Sequence, residues 1–209
     1  WVANITSADT MLEPSAGIGG LAVFAKNAGA KVVLNELSSR RAALLQEVFP
    51  SAQVFHENAE QINNILPDDV QPTVVVMNPP FSNSAATGII KKTSVGARHV
   101  EQALERLVDG GRLVGIVGDG MAMDKPTFKD WWAKISKQYD VRAVVPVDGK
   151  GYAKYGTTFD NVLIVIDKVP PQGREIVKTP ITNYTELIGL LAEVRNDRPA
   201  AKLPANDRP

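Results

Sequence analysis

The chain contains no cysteine. Disulfides, thiolate metal sites and cysteine nucleophiles are therefore excluded. Histidine is almost as scarce, and His56 and His99 alone cannot build a histidine-rich metal centre. No apolar run approaches the ~18 residues of a membrane-spanning helix, and no signal peptide is visible at the start. Net charge is lacking too: 23 Lys+Arg balance 23 Asp+Glu, unlike an autonomous nucleic-acid binder. Hydrophobic residues make up 44% and charged residues 22% of 209, which excludes a wholly disordered chain and suits one α/β domain. These features fit a reducing, cytoplasmic setting with no metal and no membrane partner.

Charge is unevenly placed. Residues 1–72 hold 4 basic and 8 acidic residues, whereas 73–209 hold 19 and 15, so the second half is the better candidate to face phosphate. An ordinary solvated surface would show the same imbalance. The chain opens on Trp1 and closes on NDRPAAKLPANDRP, which has linker composition. We expect a domain over 1–195 of a longer polypeptide, followed by a Pro-rich linker or tail over 196–209.

Strand-like and amphipathic segments alternate. Thr10–Leu12, Lys31–Asn35, Ala52–Phe55, Thr73–Met77, Arg112–Val117, Val141–Val147 and Asn161–Ile166 read as strands. Gly19–Asn27, Ser39–Val48 (capped by Ser38), Ala59–Leu66, His99–Val108, Thr127–Gln138 and Thr185–Val194 read as helices. Trp131 and Trp132 are adjacent, so one is expected in the core and the other exposed. The alternation predicts a doubly wound, Rossmann-like, mostly parallel seven-stranded sheet with helices on both faces. No long helix separates the last two strands, so the last is expected to pair antiparallel.

Two motifs carry chemistry. Gly17, Gly19 and Ala22 follow a strand and lead into a helix with G-x-G-x-x-A spacing, which lets backbone approach a ligand. Glu36 lies 19 residues after Gly17 at the end of the second strand, where an acid accepts hydrogen bonds from a ribose. A tight structural turn is the plainer reading of the glycines alone. Glu13 at the start of the turn would repel a pyrophosphate but suits a cationic cofactor such as S-adenosylmethionine. The second motif, Asn78-Pro79-Pro80-Phe81, ends the fourth strand. In a sheet of order 3-2-1-4-5 it flanks the same crevice as Gly17. The Asn78 amide oxygen and a carbonyl held by proline can together grip an amino group, and Phe81 offers a flat face for a base extruded from its stack.

EPSAGIG (13–19) followed by NPPF (78–81) resembles the class I S-adenosylmethionine-dependent methyltransferases, specifically the amino-methylating group typified by adenine-N6 DNA methyltransferases. The resemblance covers roughly Met11–Lys168. It implies S-adenosylmethionine as cofactor, held by Glu13, Pro14, Ser15, Ala16, Gly17 and Gly19, by Glu36 with Leu37, and by Asn58 with Ala59. It implies Asn78, Pro79, Pro80 and Phe81 as the catalytic tetrapeptide and DNA as partner. The combination also looks like methylase domains joined to helicase-like regions in large phage and plasmid proteins. Departures are visible: Asn58 stands where the family often has an Asp, and few residues precede the glycine motif. The 41 residues after Lys168 leave no room for a target-recognition domain.

Lys91, Lys92 and Arg98 lie without an acid in the loop leaving the catalytic motif, and Lys150, Tyr152, Lys154 and Tyr155 interleave charge with aromatics. Both segments read either as nucleic-acid contacts or as solvated loops. His56 and His99 read as structural. Beyond adenine in DNA, the alternatives are methylation of RNA guanine or a protein glutamine by the same fold, and an inactive binding module of a larger DNA-processing protein.

Overall fold

A computed structural model of the chain describes residues 1–80, 94–150, 159–182 and 184–203. Phe81, Lys91, Lys92, Tyr152, Lys154 and Tyr155 lie outside the described residues, as does the end of the tail.

Seven strands form one sheet in the order β3-β2-β1-β4-β5-β7-β6. They are β1 (Thr10–Glu13), β2 (Lys31–Asn35), β3 (Gln53–Phe55), β4 (Val74–Met77), β5 (Arg112–Gly118), β6 (Asp140–Val147) and β7 (Asn161–Asp167). The first five strands pair parallel, and β7 runs antiparallel between β5 and β6. The sheet thus has the expected order through β5, and its antiparallel member is β7.

Alternation along each strand builds two cores. Val33, Leu12, Val75, Leu113, Ile166 and Val141 stand in register across six strands, all buried on one face. Helices α3 (Ile62–Ile65), α4 (Ser94–Arg106) and α5 (Lys129–Gln138) supply Ile62, Val100, Leu104, Trp132 and Ile135 to that face. Met11, Val32, Leu34 and Val74 point the other way, into a core shared with α1 (Ala22–Asn27), α2 (Ser39–Val48) and α7 (Ala192–Asn196). Each fully buried aliphatic side chain contributes about 1.5–3 kcal/mol.

Local departures have local causes. The first helix begins at Ala22 rather than Gly19, because Gly17 and Gly19 both take positive φ, outside helical space. The third helical segment starts as a tight 3-10 turn over Ala59–Gln61. The fourth helix reaches back to Ser94, five residues before the expected start at His99. The last helix is two, α6 (Tyr184–Leu190) and α7, interrupted at Leu191. Trp132 is buried, while Trp131 is half-buried and donates to Glu101 at 3.1 Å.

A buried ionic network occupies the amino-terminal edge of β5. Arg112, fully buried, holds Asp167 directly across the sheet through two hydrogen bonds of 2.6 and 2.8 Å. It also donates to the Val2 and Val194 carbonyls. Arg142 bridges Asp167 and Asp197, and Arg198 pairs with Asp9 at 2.5 Å. The Lys202 amide donates to the Asp109 carbonyl at 2.7 Å, so the described part of the 196–209 segment lies against the sheet domain. The network stands at the opposite end of the parallel strands from the loops that carry the two motifs, leaving that carboxyl edge free of it.

Candidate active site

β1 ends at Glu13 and the chain turns through Pro14–Gly20 before α1. Gly17 (φ +56°) has open space where a Cβ would stand, whereas a Cβ at Gly19 (φ +84°) would lie 2.3 Å from the Phe49 ring. The two glycines therefore differ in role. Gly17 keeps backbone bare at the crevice, and Gly19 lets the turn pack against the end of α2. The Ala16 amide bonds the Asn35 carbonyl at 2.9 Å. The fully buried Asn35 side chain donates to the Pro14 and Glu57 carbonyls and accepts from the Glu57 amide, at 2.9–3.0 Å. One amide thus staples the glycine turn to the loop after β3.

Glu36, at the tip of β2, accepts from the Gly17 amide (2.9 Å), the Ser38 amide (2.8 Å) and Arg41 Nη2 (2.6 Å). These donors hold its carboxyl below its ordinary value despite burial. Ser38 occupies the cap position of α2 as expected, but its hydroxyl makes no capping bond. The exposed Leu37 carries a carbonyl 2.7 Å from His56 Nε2. Asn58 Oδ1 caps the following turn through the Glu60 amide at 3.0 Å. Ala59 is buried beside it.

Glu13 is 2% exposed; the Ala22 amide donates to its carboxyl, and Oε2 has no partner. Burial, reinforced by the charge on Glu36, pushes it up to about 8. It is a neutral acid at pH 7 unless a cation arrives.

β4 adjoins β1, so Asn78-Pro79-Pro80 emerges beside the glycine turn. A cavity of about 400 Å³ joins the two, lined among others by Pro14, Gly17, Glu36, Asn58, Asn78 and Pro80. That volume suits a small-molecule ligand. Asn78 and Pro80 are exposed to it and Pro79 is buried. Ser15 and Leu37 line it; Glu13 and Ala16 are buried and do not.

Three wall residues carry more than the sequence indicated. Arg41 contacts Glu36. Glu60 pairs with Arg98 at 2.9 Å, which occupies Arg98, one of the residues read as either a nucleic-acid contact or a solvated loop. His99, read as structural, is 5% exposed on the cavity wall, with Nδ1 unpartnered and its pKa lowered by burial. It stands on α4, which begins at Ser94 rather than at His99. Lys150 lies elsewhere, in a separate cleft with Asp119, Asp148 and Asp160. Among the described residues no cluster of three metal-ligating side chains occurs, and no helix is long and apolar enough to cross a membrane.

No protein-family model matches the chain, and no curated protein matches it in sequence. Its fold is widely shared with solved structures. A type I restriction-modification methyltransferase subunit from Streptococcus thermophilus superposes with a TM-score of 0.70 at 13% identity, over 93% of this chain and 49% of that one. A protein from Streptococcus mutans, assigned as a methyltransferase and solved with S-adenosylhomocysteine, gives 0.54 at 16%, over 80% and 94%. An rRNA methylase from Streptococcus thermophilus gives 0.54 at 12%, over 80% and 92%. The chain spans about half the length of the restriction-modification subunit. The fold is that of the class I methyltransferases.

Proposed function

We propose that this domain transfers a methyl group from S-adenosylmethionine to an exocyclic amino group, adenine N6 of DNA foremost. The observation that carries the reading is one cavity in which the glycine turn and Glu36 meet Asn78-Pro79-Pro80.

The residues present fit the cofactor. Glu36 is an ionised acceptor at the ribose position, Gly17 leaves open space, and Glu13 is a buried carboxyl with an orphaned oxygen that a positive charge would ionise. Asn58 and Ala59 line the same cavity as His99. When bound, S-adenosylmethionine would supply an electrophilic methyl group on its sulfonium. Asn78, through its amide oxygen, and the Pro79 carbonyl accept the two N–H bonds of the amine and turn its lone pair toward the methyl. Catalysis then rests on positioning and on exclusion of water.

DNA is put first because EPSAGIG and NPPF together resemble the adenine-N6 DNA methyltransferases. Acting on a duplex would require the base to be extruded. The partial coverage of the restriction-modification subunit supports further domains as partners for sequence recognition. The test is methyl transfer from radiolabelled cofactor to DNA, RNA and protein substrates, with Asn78→Ala alongside. Transfer to adenine in DNA, lost in a variant that still binds S-adenosylhomocysteine, is the expected result. Full activity in Asn78→Ala, or transfer to RNA or protein in preference, contradicts the reading.

A further inference from the structure

A carboxylate offers about four lone-pair positions to hydrogen-bond donors. Glu36 has three of them filled: Gly17 on Oε2, and Ser38 and Arg41 on Oε1. A ribose presents two hydroxyl donors, and one position remains. One present donor must withdraw before both hydroxyls can be accepted.

The three donors are not equally free to leave. Gly17 is a backbone amide in a turn fixed by its own positive φ and by the adjacent Ala16–Asn35 bond. Ser38 is the backbone amide at the start of α2. Arg41 reaches Glu36 at the end of a long side chain that is 52% exposed, from a place on the cavity wall. Moving it breaks one charge-assisted hydrogen bond and disturbs no backbone.

We propose that Arg41 competes with the ribose diol for Glu36 and swings out when the nucleoside binds, so that it sets both the affinity of the cavity and its discrimination between ribose and deoxyribose ligands. The proposal rests on the reading of the cavity as a nucleoside site. A single sugar hydroxyl can use the free position on Oε2 and leave Arg41 in place. A vicinal diol cannot. Arg41 therefore weakens binding of a ribonucleoside ligand while leaving its deoxy analogue unaffected.

The experiment is calorimetric titration of S-adenosylhomocysteine and its 2′-deoxy analogue into the wild-type chain and Arg41→Met. An exposed ion pair of this kind contributes up to about 1 kcal/mol, so the variant should bind S-adenosylhomocysteine about two- to fivefold more tightly. It should bind the 2′-deoxy analogue unchanged. Raising the salt concentration should tighten the wild type toward the variant, because screening weakens the Arg41–Glu36 pair. Weaker binding by Arg41→Met, or equal gains for both ligands, overturns the proposal. Absence of S-adenosylhomocysteine binding to both proteins overturns the cavity reading itself. Coincident thermal melts of the two proteins separate either outcome from a loss of fold.

Discussion

Glu13→Gln removes a titration that the fold has displaced. The carboxyl is 2% exposed, its Oε2 lacks a partner, and burial followed by the Glu36 charge raises it from an ordinary 4.5 to about 8. Between those values the folded chain holds a proton that the unfolded chain has released. The stability tied to this proton is fully present below 4.5 and is lost as pH rises through about 8. The slope is about 1.4 kcal/mol per pH unit, so the whole window carries on the order of 5 kcal/mol. Glutamine has nearly the same shape and does not titrate. Glu36 is held low rather than high, so its contribution is lost only at more acidic pH and is common to both proteins. Urea denaturation of wild type and variant across about pH 5 to 8 reads the difference directly. The wild type should lose stability relative to Glu13→Gln steadily as pH rises. Parallel profiles would refute the placement of a neutral acid behind the glycine turn.

Other perturbations report on other parts of the molecule. Binding of S-adenosylmethionine near pH 7 should release a proton as Glu13 ionises, seen as a buffer-dependent calorimetric enthalpy that disappears in Glu13→Gln. Arg112→Met strands the fully buried Asp167 beside Arg142 alone. It should cost about 3–5 kcal/mol in the denaturation midpoint without altering the cavity at the other edge of the sheet. Gly19→Ala forces a Cβ toward Phe49 at a positive φ and should cost about 1–3 kcal/mol, measured by thermal melting, with Gly17→Ala milder because only its φ is strained. Asn35→Leu frees the Pro14 and Glu57 carbonyls and should lower S-adenosylhomocysteine affinity, by titration, more than any exposed substitution on α2.

Much of the fold was legible because periodicity and punctuation agreed. Lys31–Asn35 and Ser39–Val48 stand at the expected boundaries, since a buried valine run and a proline stop leave little choice. The strand order through β5 is that of the doubly wound sheet which alternating strands and helices implied. The meeting of Gly17, Glu36 and Asn78 followed from that order, because it places β1 and β4 side by side. What stayed hidden depends on partners distant in sequence. Arg41 looks like any helix-surface arginine until its guanidinium is seen on Glu36. His99 looks like a core histidine on an apolar stripe, and only the packing of α4 beside the loops after β2 and β3 shows that it lines the cavity. Asn35 had a readable signal, a polar residue ending a buried strand, which must be satisfied somewhere. Glu13 was read as an anion, and its neutral state comes from burial, which no spacing reveals. Arg98 was read as either a phosphate contact or part of a solvated loop, and its pairing with Glu60 depends on a residue 38 positions away.

The most direct measurement is a calorimetric titration of S-adenosylmethionine into the wild-type chain and Glu36→Ala. Binding in the micromolar range by the wild type, lost or greatly weakened in the variant, is expected of a nucleoside cavity anchored on that carboxylate. Absence of binding at millimolar ligand, or equal binding by both proteins, would contradict the cofactor site on which the proposed methyl transfer depends.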